Sequence, residues 1–396
     1  MRKLVWAFAL LLSVSSAQAA DFLTFQRVDV DAKFRSEGAA IGDFNNDGKM
    51  DLGVGELYYA APDWTPVPFN GKDFGEYQWK GYSPVFGASA ADVNKDGFTD
   101  FVLMPWPGKV QYWLENPGKD APAGTAWKQH KITDVLNNES PVAADMDNDG
   151  IPEIIGGWNP DANNTNGPEK RVAIFKANDD PTLPWRRIDV SPNNFPAAGH
   201  YSHGFGVGDF NGDGKIDVVT PWGYFLQPKE GLTGEGTWEY FEADFGPDCS
   251  HMQVADFDGC GKVEVFTTSA HNFGVWLFKQ NKDGGWNRII VENPKDFVNS
   301  QYHATAKVDM NGDGKFDIVT GKRFMAHGGN DPGAFLPAEL VWYENKCTPD
   351  AVKWVRHLID GNSGVSTDLD VKDANGDGKP DILISNKRGV TLFLQK

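Results

Sequence analysis

Cysteine is scarce in this chain: Cys249, Cys260 and Cys347 are the only three in 396 residues. So small and odd a number cannot staple a domain, so a packed core or bound ions must hold it together. Long apolar runs are missing beyond residue 14, which leaves no candidate for a helical membrane span downstream. Positive charge is in deficit, with 37 Lys and Arg against 55 Asp and Glu and a net charge of −18. That balance argues against nucleic acid and anionic membrane as partners. Helical periodicity is absent as well, and so are a P-loop, a dinucleotide fingerprint, an HExxH zinc motif and a Ser-His-Asp order. Short strands joined by turns, many of them at the 44 glycines, are what remains.

The first residues stand apart. Arg2 and Lys3, the apolar stretch Leu4 to Val14 and the small-residue site Ala17-Gln18-Ala19 read as a secretory signal peptide. The expected organisation is a signal over 1–19 and one domain over 20–396, exported to a periplasm or beyond.

What the chain has in plenty is repetition. The pattern D-x-[DN]-x-D-G-x-x-[DE] occurs seven times, once with Cys260 at position 5, at a mean interval of 55 residues. Positions 1, 3, 5 and 9 offer oxygen ligands, and the glycine at position 6 permits a sharp turn. They are Asp43, Asn45, Asp47 and Asp51; Asp92, Asn94, Asp96 and Asp100; Asp145, Asp147, Asp149 and Glu153; Asp209, Asn211, Asp213 and Asp217. The remaining copies give Asp256, Asp258 and Glu264; Asp309, Asn311, Asp313 and Asp317; Asp373, Asn375, Asp377 and Asp381. Carboxylates so close repel unless a cation gathers them, so each loop is a candidate Ca²⁺ site. Cys260 is a poor calcium ligand, so six or seven ions are expected.

Around each loop the text repeats too. A short mixed strand precedes it, a continuous apolar strand such as "DVVT" or "DIVTG" follows, then an aromatic strand such as "VQYWLEN", then one led by Trp such as "WNRIIV". Four strands per repeat make a small sheet that buries its faces only by stacking radially on its neighbours. The expected fold is all-β: a seven-bladed β-propeller with a calcium loop between the first and second strands of each blade. The C-terminus stops at a third strand, and "FQRV" near the start matches the Trp-led strands, so the N-terminal strand should close the last blade. In the first blade the fourth strand falls near "YQWKGY".

These loops resemble the FG-GAP and VCBS repeat families, whose members form calcium-bound β-propellers; the likeness covers nearly all of residues 20–396. A narrower likeness lies in "YWLENPGKD", "WKQHKI", "VWYENKC" and "WVRHLI", which look like the propeller of aldos-2-ulose dehydratases and related sugar-processing proteins. The first resemblance implies fold and calcium; the second implies carbohydrate.

If each loop joins the first two strands, the residues five or six places before it ring the channel mouth on the opposite face. These include Glu37, Glu139, His203, His251, His303 and Asp368. The ends of the second strands add Trp106, Trp158, Trp222, His271, Lys322, Arg323 and Lys387. Aromatic rings beside charged groups suit a sugar, so Trp106, Trp158, Trp222, His271, Lys322, Glu139 and Asp368 are candidate ligand-binding residues. Three histidines on consecutive blades suit Zn²⁺ or another transition metal at His203, His251 and His303, acid–base work without metal, or simple solvation. An enzyme reading is a sugar lyase or dehydratase acting by β-elimination: one of these histidines is the base, Tyr201 or Tyr302 the acid, and Arg323 stabilises the enolate. The other reading is a non-catalytic module for glycan or protein. A monomer or weak oligomer is expected, with a protein partner as a further option.

Overall fold

A computed structural model describes residues 23–71, 75–122, 124–233, 236–292 and 300–396. The expected signal peptide lies outside the described residues. Among the described residues there are seven four-stranded antiparallel sheets and two short 3-10 turns. No helix there is long and apolar enough to cross a membrane. The protein is a seven-bladed β-propeller.

Blades 1 to 6 run outward in chain order. Innermost strands are Ala39–Gly42, Val85–Ala91, Val142–Ala144, Gly206–Gly208, Gln253–Ala255, Thr305–Val308 and Asp370–Lys372. The second strands, such as Asp217–Thr220 and Asp317–Gly321, are buried on both faces, which explains their unbroken apolar runs. Cores lie between blades. One of them joins Val172, Ile174 and Ile188 of blade 3 to Val218, Phe225 and Trp238 of blade 4. At two points the inner strands of neighbouring blades pass so closely that no side chain fits. A Cβ on Gly206 would stand 1.8 Å from the Met252 carbonyl oxygen, and one on Gly38 2.6 Å from the Gly87 Cα.

The seventh sheet holds Asp370–Lys372, Asp381–Asn386, Gly389–Gln395 and, outermost, Phe25–Asp31 from the opposite end of the chain. Phe25 pairs with Gln395 and Val28 with Leu392, and the Lys396 amide donates to the Thr24 carbonyl at 2.9 Å.

Blade 1 departs from expectation. Its fourth strand is Thr65–Pro68, not "YQWKGY". Two prolines hid it from a β-propensity reading, yet an outer edge strand needs few ladder donors and tolerates them. Residues 77–82 instead cross the mouth of the ring, where the Tyr77 amide donates to the Phe34 carbonyl and Tyr82 enters the site described next.

The acidic turns share one geometry. The Asp43 carboxylate accepts from the Asp47 and Gly48 amides at 3.1 and 2.9 Å, and Asp209 and Asp373 repeat the pattern. The position-9 aspartate has a further duty. In Asp100 one oxygen accepts from the Val93 amide and the other from the Asn116 amide, both at 2.8 Å. It therefore ties the turn to the third strand.

Candidate functional site

The alternation of an extended chain decides what faces the mouth. Residues six places before each loop are Glu37, Phe86, Glu139, His203, Ser250, His303 and Thr367. Glu139, His203 and His303 converge there, joined by His271 from the connection after the second strand of blade 5. The His203 Nε2 lies 3.0 Å from Glu139 Oε2 and 2.9 Å from His271 Nε2; the His303 Nε2 is 3.7 Å from Glu139 Oε1.

Outer contacts orient these rings. His271 Nδ1 faces the Asp331 carboxylate at 3.0 Å, which makes Nδ1 the protonated nitrogen and leaves Nε2 a lone pair toward the centre. His303 Nδ1 contacts Ser140 Oγ at 3.2 Å, while its Nε2 is buried without a hydrogen-bond partner. Burial pushes the His271 imidazole down to about 4, and burial with nearby Arg323 holds His303 well below the usual histidine range. Both are therefore neutral at pH 7, the form that ligates metal. Burial alone would raise Glu139, but Arg323, whose Nη1 donates at 2.6 Å, and His203 hold it well below the usual carboxylate range. Three imidazole nitrogens and one carboxylate oxygen, all within 4.8 Å of one another, match the donor set of a Zn²⁺-like ion. An orphaned buried Nε2 is what such an ion would satisfy.

Beside this cluster lies a cavity of about 210 Å³ lined by Tyr82, Phe86, Trp106, Glu139, Tyr201 and His327. Trp106 packs against Phe86 and Tyr82 at 5.0 and 5.2 Å between ring centroids, and Tyr201 meets it edge-on at 6.1 Å. His327 belongs to a strap between the second and third strands of blade 6. Met325 and His327 there have φ of 55° and 47°, a left-handed backbone that side chains disfavour. Lys387 holds the Met325 carbonyl at 3.0 Å, Tyr82 Oη accepts the His327 amide at 2.8 Å, and Asp331 holds His327 Nδ1 at 2.9 Å. Asp331 thus orients both His271 and His327.

Other expected site residues lie elsewhere. His251 is one residue closer to its loop than His203 and His303, so alternation turns it into the central channel. It lines a cavity of about 370 Å³ with Asp368, and Ser250 takes the mouth position. Burial pushes the His251 imidazole down to about 4 and the Asp368 carboxyl up to about 7. The three-histidine set is therefore His203, His271 and His303, with His251 outside it. Tyr302 donates to Glu339 at 2.5 Å in a buried network with Arg356, away from the cluster. Lys322 is fully buried, its Nζ directed at the Arg323 carbonyl at 3.4 Å. Trp158 has the Arg187 guanidinium 3.6 Å over its ring, and Trp222 packs on the core between blades 3 and 4. Tyr82, His327 and Asp331 escaped sequence reading because they sit in non-repeating connections. The unusual length of the segment between Gly321 and Leu340 was the available signal.

Comparison with known proteins agrees on the repeat. Residues 92–156 and 256–320 match the FG-GAP-like repeat family. Each match begins at the first aspartate of an acidic turn. No curated protein sequence matches the chain. Among solved structures, a lectin from Agrocybe aegerita that recognises non-reducing terminal N-acetylglucosamine aligns with TM-score 0.50 and 17% identity, over 95% of this chain and 87% of that one. The rhamnogalacturonan lyase YesW aligns with TM-score 0.45 and 13% identity, over 91% and 72%. The V. cholerae biofilm matrix protein Bap1 aligns with TM-score 0.38 and 13% identity, over 90% and 77%. At these identities the likeness is one of fold.

Proposed function

We propose that this protein is an exported, calcium-stabilised propeller that acts on carbohydrate through a transition-metal centre at its channel mouth. The observation that carries the reading is the convergence of His203, His271, His303 and Glu139 beside an aromatic cavity. The reaction that suits the site is β-elimination from a sugar, the chemistry of a lyase or dehydratase. A divalent ion held by the four groups would supply a Lewis acid for the substrate carbonyl or carboxylate. The chain's own residues do the rest. Trp106, Tyr82 and Tyr201 offer ring faces on which a sugar stacks its C–H surface. Arg323 fixes Glu139, and Asp331 fixes His271. His327, half-exposed in the cavity and anchored through Nδ1, is positioned to take the proton next to the carbonyl, and the Tyr201 hydroxyl to protonate the leaving oxygen.

A second reading, a glycan-binding module without turnover, is favoured by the same four aromatic walls. One experiment separates the two. The chelator-treated protein is reloaded with Zn²⁺ or Co²⁺ and offered a panel of neutral and acidic polysaccharides, with unsaturated products followed by ultraviolet absorbance. One tightly held transition ion, lost in H303A and E139Q, with products formed only when it is present, supports the enzyme. Glycan binding that is indifferent to the ion supports the module.

A further inference from the structure

The seven acidic turns are not equivalent. Five have Asn at position 3 and Asp at position 9; the turns of blades 3 and 5 have Asp147 and Asp258 at position 3, and Glu153 and Glu264 at position 9. A third difference accompanies these two. On the neighbouring third strand, the residue facing position 9 is Lys279 opposite Glu264, and Lys176 opposite Glu153, one step beyond the Ile154–Phe175 pair. The equivalent positions in blades 1, 2, 4, 6 and 7 are Ala60, Glu115, Leu226, Glu344 and Leu394, none of them basic.

The contacts explain why the three changes travel together. Lys176 Nζ lies 2.9 Å from Asp147, 2.8 Å from Asp149 and 2.9 Å from Glu153, so it occupies the space among the side chains at positions 3, 5 and 9. Lys279 Nζ pairs with Asp258. The extra carboxylate at position 3 balances the added ammonium. The longer Glu meets it as well: Glu153 gives one oxygen to the Met146 amide and the other to Lys176. In the five Asp turns that second oxygen goes to a third-strand amide instead, as Asp217 does to Gln227 and Asp381 to Gln395. Blade 5 has also exchanged its position-5 carboxylate for Cys260, which a resident ammonium tolerates better than a calcium ion does.

We propose that blades 3 and 5 carry their cation covalently: the Lys176 and Lys279 ammonium groups stand where the other five turns take a divalent ion. The protein then saturates at five calcium ions, not six or seven. The inference rests on reading the remaining turns as calcium sites. It also has a spatial sense, because blades 3 to 6 supply Glu139, His203, His271 and His303. Two of the four turns beneath that arc cannot be stripped by a chelator.

The test is calcium counted by equilibrium dialysis and elemental analysis on the full chain, with transition metal measured separately. Five calcium ions support the proposal; six or seven overturn it. No bound calcium overturns both the calcium reading and the proposal. Hydrogen exchange in excess chelator provides a second readout that needs no variant. Turns 145–153 and 256–264 should keep their protection while the other five lose theirs; equal loss in all seven refutes the lysine lock. In K176M the vacated four-carboxylate turn should gain one calcium ion, raising the count by one. An unchanged count in a folded K176M protein would also refute it.

Discussion

Asp100→Ala is the sharpest probe of how the blades are assembled. The Asp100 side chain is fully buried, and its two oxygens accept from the Val93 and Asn116 amides. Alanine strands both donors away from water. Each unsatisfied buried donor costs about 1–3 kcal/mol, so the loss should be about 4 kcal/mol. Asparagine keeps one acceptor oxygen and turns its amide toward the other donor, so D100N should lose roughly half as much, about 2 kcal/mol. The assay is urea unfolding by tryptophan fluorescence in excess chelator, so that no cation compensates, with hydrogen exchange at Val93 and Asn116 as the local readout. The order wild type, D100N, D100A is required. A D100A protein within about 1 kcal/mol of wild type, with both amides still protected, would show that the tie is not what joins turn to strand.

Gly206→Ala should destabilise by several kcal/mol, because its Cβ meets the Met252 carbonyl at 1.8 Å and the inner strands must part; a thermal melt checks it. Burial pushes the Glu37 carboxyl up to about 7 against the pull of Arg323, so the folded state keeps a proton that the unfolded chain releases above 4.5. Stability should therefore fall as pH rises from about 4.5 to about 7, and E37Q should flatten that limb in a pH series of melts. W106A and Y201A should each weaken glycan affinity by about tenfold while leaving transition-metal content unchanged, as measured by calorimetry and elemental analysis.

Repetition made the fold legible. Seven turns of one pattern fixed the blade count, and continuous apolar strands marked the second position of each sheet. The site was legible only where it followed the repeat: Glu139, His203 and His303 share one offset from their loops. A single-residue offset was enough to send His251 into the channel, since side chains alternate along a strand. His271 was expected on this face as a ligand-binding residue, and packing sets it beside His203 and His303. His327, Asp331 and Tyr82 belong to connections without periodicity, and only three-dimensional packing brings them in. The lysine–aspartate–glutamate association in blades 3 and 5 was written in the sequence, but it acquires meaning only once cross-strand register sets the three side by side.

The outermost strand of the seventh sheet comes from the start of the described chain and its neighbour from the end. The ribosome must therefore release every other blade before the circle can be sealed. Until then the protein is an open fan with a raw edge at each side, which invites pairing with a second copy. Loss of residues 25–31 by clipping, or of the last strand by premature termination, should be far more harmful than a nick in a surface connection elsewhere, because only those two segments act as the clasp.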